Sequence, residues 1–472
     1  MSKEIRIREI EKIIERDQNR KDLLTHEIMW DKKLIPEKVY NIPLTHLVYN
    51  KYNGRILSRT KSLEKQKQII DIETIEGRNL IEKLLWESKI DRNKKTESSI
   101  RISGQQKVGI ITKDGVIIDG NRRAMLLNRI DRIGFFKAIV LPVTLEENPI
   151  EIERLETTYQ MGEDEKLGYN PIEKYLKAKQ IFEKLTPAIS KSDAMKSISD
   201  WMGESDGEIK KYLDTMSLMD EYLEYLEYDG IYTQLDSRED QFLSLTKWLN
   251  TFYDKESNKV DWGYNNGDVD ELKTIAFDYL RFKNEYDGKE FRNLAEGNKD
   301  KHFFGDKDIW KSFSDKHYEI INLLPKESKI DIDSKNLEKH LNARDNTFFE
   351  NSKFKNSSSA FIENLNDHKY LVGYNKASEE PEKLIKRASQ TFEAIKTGHS
   401  SFSKTEVQNL IKEFVEKINY SVQKQSPKNA LDIIINSLNK IEFKNIEKDK
   451  INDIENQLEE IRKMCFDIKK NI

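Results

Sequence analysis

Residues 4–24 place Ile5, Ile10, Ile13, Ile14, Leu23 and Leu24 among dense charges. This spacing predicts an amphipathic helix with one buried stripe, and residues 1–38 read as an N-terminal helical arm. The pattern changes at Tyr40, where NIPLTHLVYNKYN alternates short apolar runs with Asn and Gly punctuation, as a strand leading into a turn does. A helix, NLIEKLLWESKI, follows from Asn79. KVGIIT (107–112), GVIID (115–119) and FKAIVLPVTL (136–145) read as Val- and Ile-rich strands. Only Lys113 and Asp114 separate the first two, a hairpin signal, and GNRRAMLLNRI places a Gly turn and an amphipathic helix before the third. Residues 39–168 therefore form a small α/β unit.

Beyond Pro171 strand signals nearly vanish. PIEKYLKAKQIFEKL, SDAMKSISDWMG and DGEIKKYLDTMSLMDEYLEYL predict three successive helices in residues 169–236, each opened by an N-cap residue or a first-turn Pro. Residues 237–325 read as a further helical domain built on EDQFLSLTKWLNTFYD and DVDELKTIAFDYLRFKNEY. The polar text of 326–378, rich in Lys, Asp, Asn and Ser, reads as an irregular connection, and 379–472 as a C-terminal helical domain. There Ile451, Ile454, Leu458, Ile461, Cys465 and Ile468 alternate three- and four-residue steps. That is a/d spacing over about two and a half heptads, open to two readings: a helix packed on its own domain or a homodimer seam. The expected fold class is α+β: a small α/β domain followed by a predominantly α-helical remainder.

Composition narrows the functional classes. The chain has 472 residues, more than one core usually organises, and its 35% charged and 37% hydrophobic residues suit a soluble, helix-rich protein. No apolar run reaches membrane-spanning length and the N-terminus is charged rather than apolar, so no membrane partner and a cytoplasmic location are expected. Cys465 is the sole cysteine, which excludes an intrachain disulfide and a cysteine-based zinc site. The net charge of −4 offers nucleic acid no global attraction, so any DNA contact must be local.

The chemistry concentrates in GVIIDGNRRAMLLN, residues 115–128. A strand delivers Asp119 and Gly120 to a turn, and a helix begins near Asn121. Unpaired N–H groups at a helix start, close approach at Gly and two arginines together suit a polyphosphate. An ordinary Asp-Gly-Asn turn beside a solvated Arg-Arg face is the competing reading.

The surrounding text resembles the ParB family. Ile42-Pro43-Leu44, Leu47, Asn50, Tyr52 and Arg55 are similar to the family's lead-in. Gly104-Gln105-Gln106 resembles the approach to its core strand. Gly120, Arg122 and Arg123 match its phosphate turn, and Asn170-Pro171-Ile172-Glu173 matches the opening of its next helix. Trp201-Met202-Gly203-Glu204-Ser205 with Ile209 resembles the turn of its helix-turn-helix. The matches run in family order from Val39 to Leu226. The resemblance implies a ParB/sulfiredoxin-like domain binding a nucleoside triphosphate, CTP or ATP, with Mg²⁺, whose nucleotide state governs a dimeric DNA clamp. It implies phosphate contacts for Gly120, Arg122 and Arg123, with Asn121 and Gln106 as further nucleotide-binding candidates. Sulfiredoxin, a free-serine kinase and nuclease-associated ATPases share that fold, so phosphate handling is implied more firmly than any reaction.

Departures from the pattern matter. Asn121 stands where the family has Glu, and Asp119 adds a carboxylate that would bind Mg²⁺, serve catalysis by orienting a water, or simply cap the helix. The family's second phosphate motif is replaced by RLETTYQMGEDEKLGYNPIE, in which Glu156 is the nearest metal ligand, Gln160 the next candidate, and residues 162–165 an acidic cluster. Across 189–226 four Lys face nine acids, so only Lys210 and Lys211 are equipped to meet DNA from the helix-turn-helix. Arg55, Arg59, Lys61, Lys65 and Lys67 form one alternative basic stretch, and Arg92, Lys94, Lys95 and Arg101 another. Three functional readings follow. The first is a nucleotide-dependent switch acting on DNA, in the plasmid, prophage or phage-defence company the family keeps. The second is a magnesium-dependent NTPase, kinase or nuclease using Asp119. The third is a protein-interaction component with a vestigial site. A homodimer would form through the C-terminal helix or the nucleotide domain.

Overall fold

The computed structural model describes residues 1–472 apart from 67, 69, 132, 163–169, 282–287, 324–335, 350–356, 379–380, 424–426, 442–450 and 472. It is an α+β protein in two compact units, Met1–Glu379 and Glu380–Ile472.

The first unit opens with α1 (Lys3–Asp17), β1 (Thr25–Trp30), β2 (Lys33–Pro43) and β3 (Val48–Tyr49). Next come α2 (Leu57–Lys65), α3 (Ile75–Ser88), α4 (Ile90–Ser103), β4 (Gly109–Ile111), β5 (Val116–Asp119), α5 (Asn121–Ile130) and β6 (Phe135–Val140). The six strands lie in the order β1-β2-β6-β4-β5-β3. The expected β4–β5 hairpin is present, antiparallel, while β4 pairs with β6 and β5 with β3 in parallel.

The N-terminal arm is helical only to Asp17; residues 25–43 form the β1–β2 hairpin instead. Asp31 and Lys32 sit at φ 48° and 59°, the doubly left-handed backbone of a two-residue hairpin turn, between the paired Trp30 and Lys33. Asp-Lys lacks the Gly that normally announces such a turn. Alternation does the rest. Ile117 and Ala138 join the core on the α3–α5 face of the sheet. Val116, Ile118 and Ile139 point to the opposite face, against Ile152 and Leu155 of α6 (Pro149–Thr157). Arg6 of α1 is fully buried and grips both oxygens of Glu73, at 2.7 and 2.8 Å, while its Nε donates to the Asp114 carbonyl. Gly115 completes that β4–β5 turn at φ +81°, where a Cβ would lie 2.3 Å from the His46 carbonyl oxygen.

After a π-helical turn at Thr158–Gly162 the remainder is helical: α7 (Pro171–Leu185), α8 (Lys191–Met202), α9 (Asp206–Tyr225), α10 (Glu239–Phe252), α11 (Asn266–Arg281), α12 (Gly288–Phe291) and α13 (Lys307–Leu323). Then come α14 (Leu337–Phe349) and α15 (Ser357–Ser378), in place of the expected irregular connection. Their composition hides a few anchoring residues: Leu341, Phe361 and Leu365 are buried in the same core as α7–α13, and Asp345 pairs with Arg281 at 2.5 Å. That core takes Leu57 and then Met161 to Leu365, whereas the sheet has two cores of its own between Ile10 and Leu155, all within the one compact unit Met1–Glu379. The second unit holds α16 (Pro381–Glu393), α17 (Thr405–Gln423), α18 (Pro427–Asn439) and α19 (Ile451–Asn471). Among the described residues no helix is long and apolar enough to cross a membrane.

The sheet and the helices meet at a buried ion network. Lys177 of α7, 1% exposed, lies 2.5 Å from Glu153 and 3.2 Å from Glu156, and Lys184 also donates to Glu153. Burial opposes the charge on Lys177, and the two carboxylates outweigh it, holding it above the ordinary lysine range. Removing one partner from such a cluster leaves uncompensated buried charge. Lys177→Met is therefore expected to lower the unfolding free energy by about 3–5 kcal/mol in urea denaturation, and a loss below about 1 kcal/mol would contradict this assignment.

Candidate functional site

Gly120, Asn121, Arg122 and Arg123, expected to form a phosphate turn, line a cleft of about 230 Å³ between α4, residues 104–107 and the β5–α5 turn. Gly120 is the N-cap of α5, left-handed at φ 100°, and supplies no side chain to satisfy the first-turn N–H groups. A Cβ at that position would come within 2.7 Å of Phe136 Cζ, so only Gly fits the turn. The cleft thus meets a helix N-terminus and is lined by four cationic side chains, Arg55, Lys107, Arg122 and Arg123, and by one acid, Asp119.

Each expected residue has a definite place. Arg122 reaches from α5 to α4, donating from Nε to Asn93 Oδ1 and from Nη2 to Thr96 Oγ1 at 3.3 Å. Arg123 turns back one helical turn to pair with Asp119, and its Nη2 also reaches the Val108 carbonyl at 3.3 Å. Arg123 Nε is buried without a hydrogen-bond partner. Gln106 lines the cleft, its side chain donating to the Ser103 carbonyl. The adjacent Gln105 braces the wall, exchanging hydrogen bonds with the backbone of Lys137 at 2.7 and 2.8 Å.

Asn121 is 2% exposed, and its side chain is engaged with backbone. Oδ1 accepts from Asn50 N at 2.9 Å and Nδ2 donates to the Ile117 carbonyl at 2.9 Å. The amide staples the turn to the end of β3, and only the main-chain N–H of Asn121 is placed to serve a ligand.

Glu156 is not brought together with Asp119. It accepts from Asn50 Nδ2 and Gln160 Nε2, both at 3.2 Å, and lies against Lys177. Burial is the larger effect on Glu156 and pushes its carboxyl up. With Asp119 paired to Arg123, neither carboxylate presents a site for a hard cation, and no group of three or more His, Cys, Asp or Glu among the described residues is arranged to hold a metal. The described residues do not fit a protein-held Mg²⁺. From Glu163 onward the acidic run of 162–165 lies outside the described residues, as does Lys67.

In the segment expected to form a helix-turn-helix, α8 and α9 are joined by the short turn 203–205. α8 ends on left-handed Gly203, and Ser205 Oγ caps α9 by accepting from Glu208 N at 3.2 Å. Lys210 and Lys211 are exposed on α9, but Lys211 pairs with Glu208 at 3.3 Å, and Asp206 and Glu208 occupy the leading turn. In the α2 stretch, Arg59 is bound to Asp236 and Lys65 to Asp229, so those cations face the protein's own acids. On α4, by contrast, Arg92, Lys94 and Lys95 are exposed.

Asn93 is the functional residue that pattern reading missed. Fully buried, it donates to the Leu85 and Trp86 carbonyls at 3.0 and 2.7 Å while accepting from Arg122. Set among Arg92, Lys94 and Lys95, it reads as solvated surface; the one signal for it in the sequence is the helical continuation of the NLIEKLLWESKI pattern. Arg55 likewise joins this cleft to a second of about 250 Å³, which includes Arg59, Lys89, Asn170 and Glu173. No protein-family model matches the chain, and no curated protein matches it.

Glu173, from the Asn-Pro-Ile-Glu opening of α7, receives Ser58 Oγ at 2.6 Å and Ser58 N at 3.0 Å. Burial outweighs these bonds and pushes its carboxyl up to about 7. Between the ordinary carboxylate range and about 7 the unfolded chain loses this proton while the folded one keeps it, so the group's contribution to stability falls as pH rises through that window. Relative to wild type, Glu173→Gln is expected to gain about 2–3 kcal/mol of stability between pH 4.5 and 7.5, measured by denaturant titration across pH. A pH-independent difference would refute the assignment.

Proposed function

We propose that the cleft binds the polyphosphate of a nucleoside triphosphate, CTP or ATP, and that the protein is a ParB-like nucleotide-dependent switch associated with DNA. The observation that carries this reading is the convergence of the Gly120-capped helix N-terminus with Arg55, Lys107, Arg122 and Arg123 on one cleft. The order of ParB-like motifs supports it, because the phosphate turn falls at that helix start. Main-chain N–H groups of the first turn of α5 receive phosphate oxygens. Arg122 and Arg123 supply forked donors, and Gln106 stands at the wall.

The switch in this proposal is Arg122. Its partners Asn93 and Thr96 belong to α4, whose outer side carries Arg92, Lys94 and Lys95. A phosphate competing for the guanidinium loosens the α5–α4 connection and so alters the basic surface offered to DNA. Asp119 holds Arg123 in place, a positioning role. The acidic α8–α9 element serves packing or protein contact, with Ile209, Tyr212, Met216 and Met219 turned into the core.

Two experiments test these assignments. In calorimetric titration with ATP, CTP and GTP, wild type is expected to bind at least one nucleotide and Arg122→Ala to lose about tenfold to a hundredfold in affinity, the range of one or two charge-assisted hydrogen bonds. Equal affinity in the variant removes the phosphate-turn assignment. In DNA binding at graded salt, combined Ala substitution of Arg92, Lys94 and Lys95 is expected to flatten the salt dependence by about 0.9 for each phosphate that is no longer neutralised, and Lys210→Ala with Lys211→Ala to leave it unchanged. The opposite pattern would return the DNA-binding surface to α9.

A further inference from the structure

A third cleft, of about 230 Å³, lies where the segment joining β2 to β3 meets α3 and α5, and it shares no lining residue with the other two. Leu44 and Leu47 give it an apolar wall, and Tyr49, Arg78, Glu82 and Asn128 contribute polar groups. Arg78 and Glu82 stand one turn apart on α3, the spacing at which opposite charges usually pair, but each is turned elsewhere. Arg78 Nε donates to the Ile72 carbonyl at 3.2 Å, and Nη2 is buried with no hydrogen-bond partner. Glu73 lies 3.8 Å from that nitrogen, beyond hydrogen-bond reach, and Arg6 already grips both of its oxygens. Glu82 Oε1 accepts from Tyr49 Oη at 2.9 Å and from Asn128 Nδ2 at 2.6 Å, while Oε2 receives no hydrogen bond among the described residues. The cleft therefore offers a cationic donor and an anionic acceptor that the protein does not join to each other.

We infer that this cleft binds a free α-amino acid with an apolar side chain. The carboxylate accepts from Arg78 Nη2, the ammonium donates to Glu82 Oε2, and the side chain lies against Leu44 and Leu47. Residues at this helical spacing have Cβ atoms about 5–6 Å apart, which suits the two neighbouring charges of a zwitterion. A ligand of one sign is disfavoured, because a polyphosphate meets Glu82 and a simple amine meets Arg78. A buried guanidinium N–H left without an acceptor is costly, and a carboxylate supplies a charge-assisted one. None of these contacts involves the β5–α5 turn, so the site is independent of nucleotide binding.

The test is calorimetric titration of the full-length protein, without nucleotide, using L-valine, L-leucine and L-phenylalanine as probes. Wild type is expected to bind at least one of them with millimolar or tighter affinity. The amide of that amino acid, which lacks the carboxylate, and its N-acetyl form, which lacks the ammonium, are each expected to bind about tenfold more weakly or not at all. These two comparisons need no variant and so do not depend on a mutant folding. Glu82→Gln keeps an acceptor for Tyr49 and Asn128 but not the charge, and with its circular dichroism unchanged it is expected to lose about tenfold in affinity for the amino acid. Arg78→Gln is expected to lose a similar factor for the amino acid and little for the amide. No saturable binding of any of the three probes at several millimolar would overturn the inference, as would blocked forms that bind as well as the free amino acid, or variants that bind as well as wild type.

Discussion

Glu156 is the carboxylate on which the two halves of the first unit depend. Fully buried, it receives Asn50, Gln160 and Lys177. Asn50 in turn passes its main-chain N–H to Asn121, the first residue of α5, and Gln160 passes a second hydrogen bond to the Ile118 carbonyl of β5. One continuous polar chain therefore runs from α7, through α6 and the end of β3, to the turn that opens the cleft. Each member is satisfied only while the others hold their places, because an unpaired charge at this depth is far more costly than its net worth when paired. The position of the β5–α5 turn and the packing of α7 on the sheet are thereby a single constraint.

The sheet and most helices are legible in the sequence because their physics is local. Val116, Ile117 and Ile118 alternate between two cores, and the hairpin at Lys113–Gly115 follows from its turn. Gly120, Arg122 and Arg123 are legible for the same reason: a helix start after a Gly turn is written in consecutive residues. What stays hidden depends on partners far away in the chain. Glu156 reads as a metal ligand because Lys177, 21 residues on, gives no sign in the text of closing on it. Asn121 reads as a ligand group because Asn50, 71 residues earlier, is what occupies it. α14 and α15 are hidden by polar composition, since few apolar residues, Leu341, Phe361 and Leu365 among them, join Asp345 in docking them on a core assembled from elsewhere. The β1–β2 hairpin is hidden by a turn made from Asp31 and Lys32, both left-handed without a Gly, where Glu151 accepts a hydrogen bond from Asp31 N at 2.6 Å.

The same network explains why the functional reading rests on arginines rather than on acids. Three described carboxylates around the turn have structural partners: Asp119 has Arg123, Glu156 has Lys177, and Glu173 has Ser58. The arginines instead link elements that could separate. Arg122 spans α5 and α4 through two polar side chains, Asn93 and Thr96, and phosphate oxygens compete well with such partners. A ligand at the α5 N-terminus therefore has a route to α4 that requires no rearrangement of the buried core, consistent with a switch built on a rigid sheet.

Hydrogen exchange of the full-length protein with and without saturating CTP or ATP tests the central claim most directly. The account predicts slowed exchange at the first-turn amides of α5, Asn121 to Arg123, together with changed exchange along α4, while β4, β5 and β6 stay unaltered. Unchanged α5 amides at saturating nucleotide, or protection confined to another part of the chain, would contradict it.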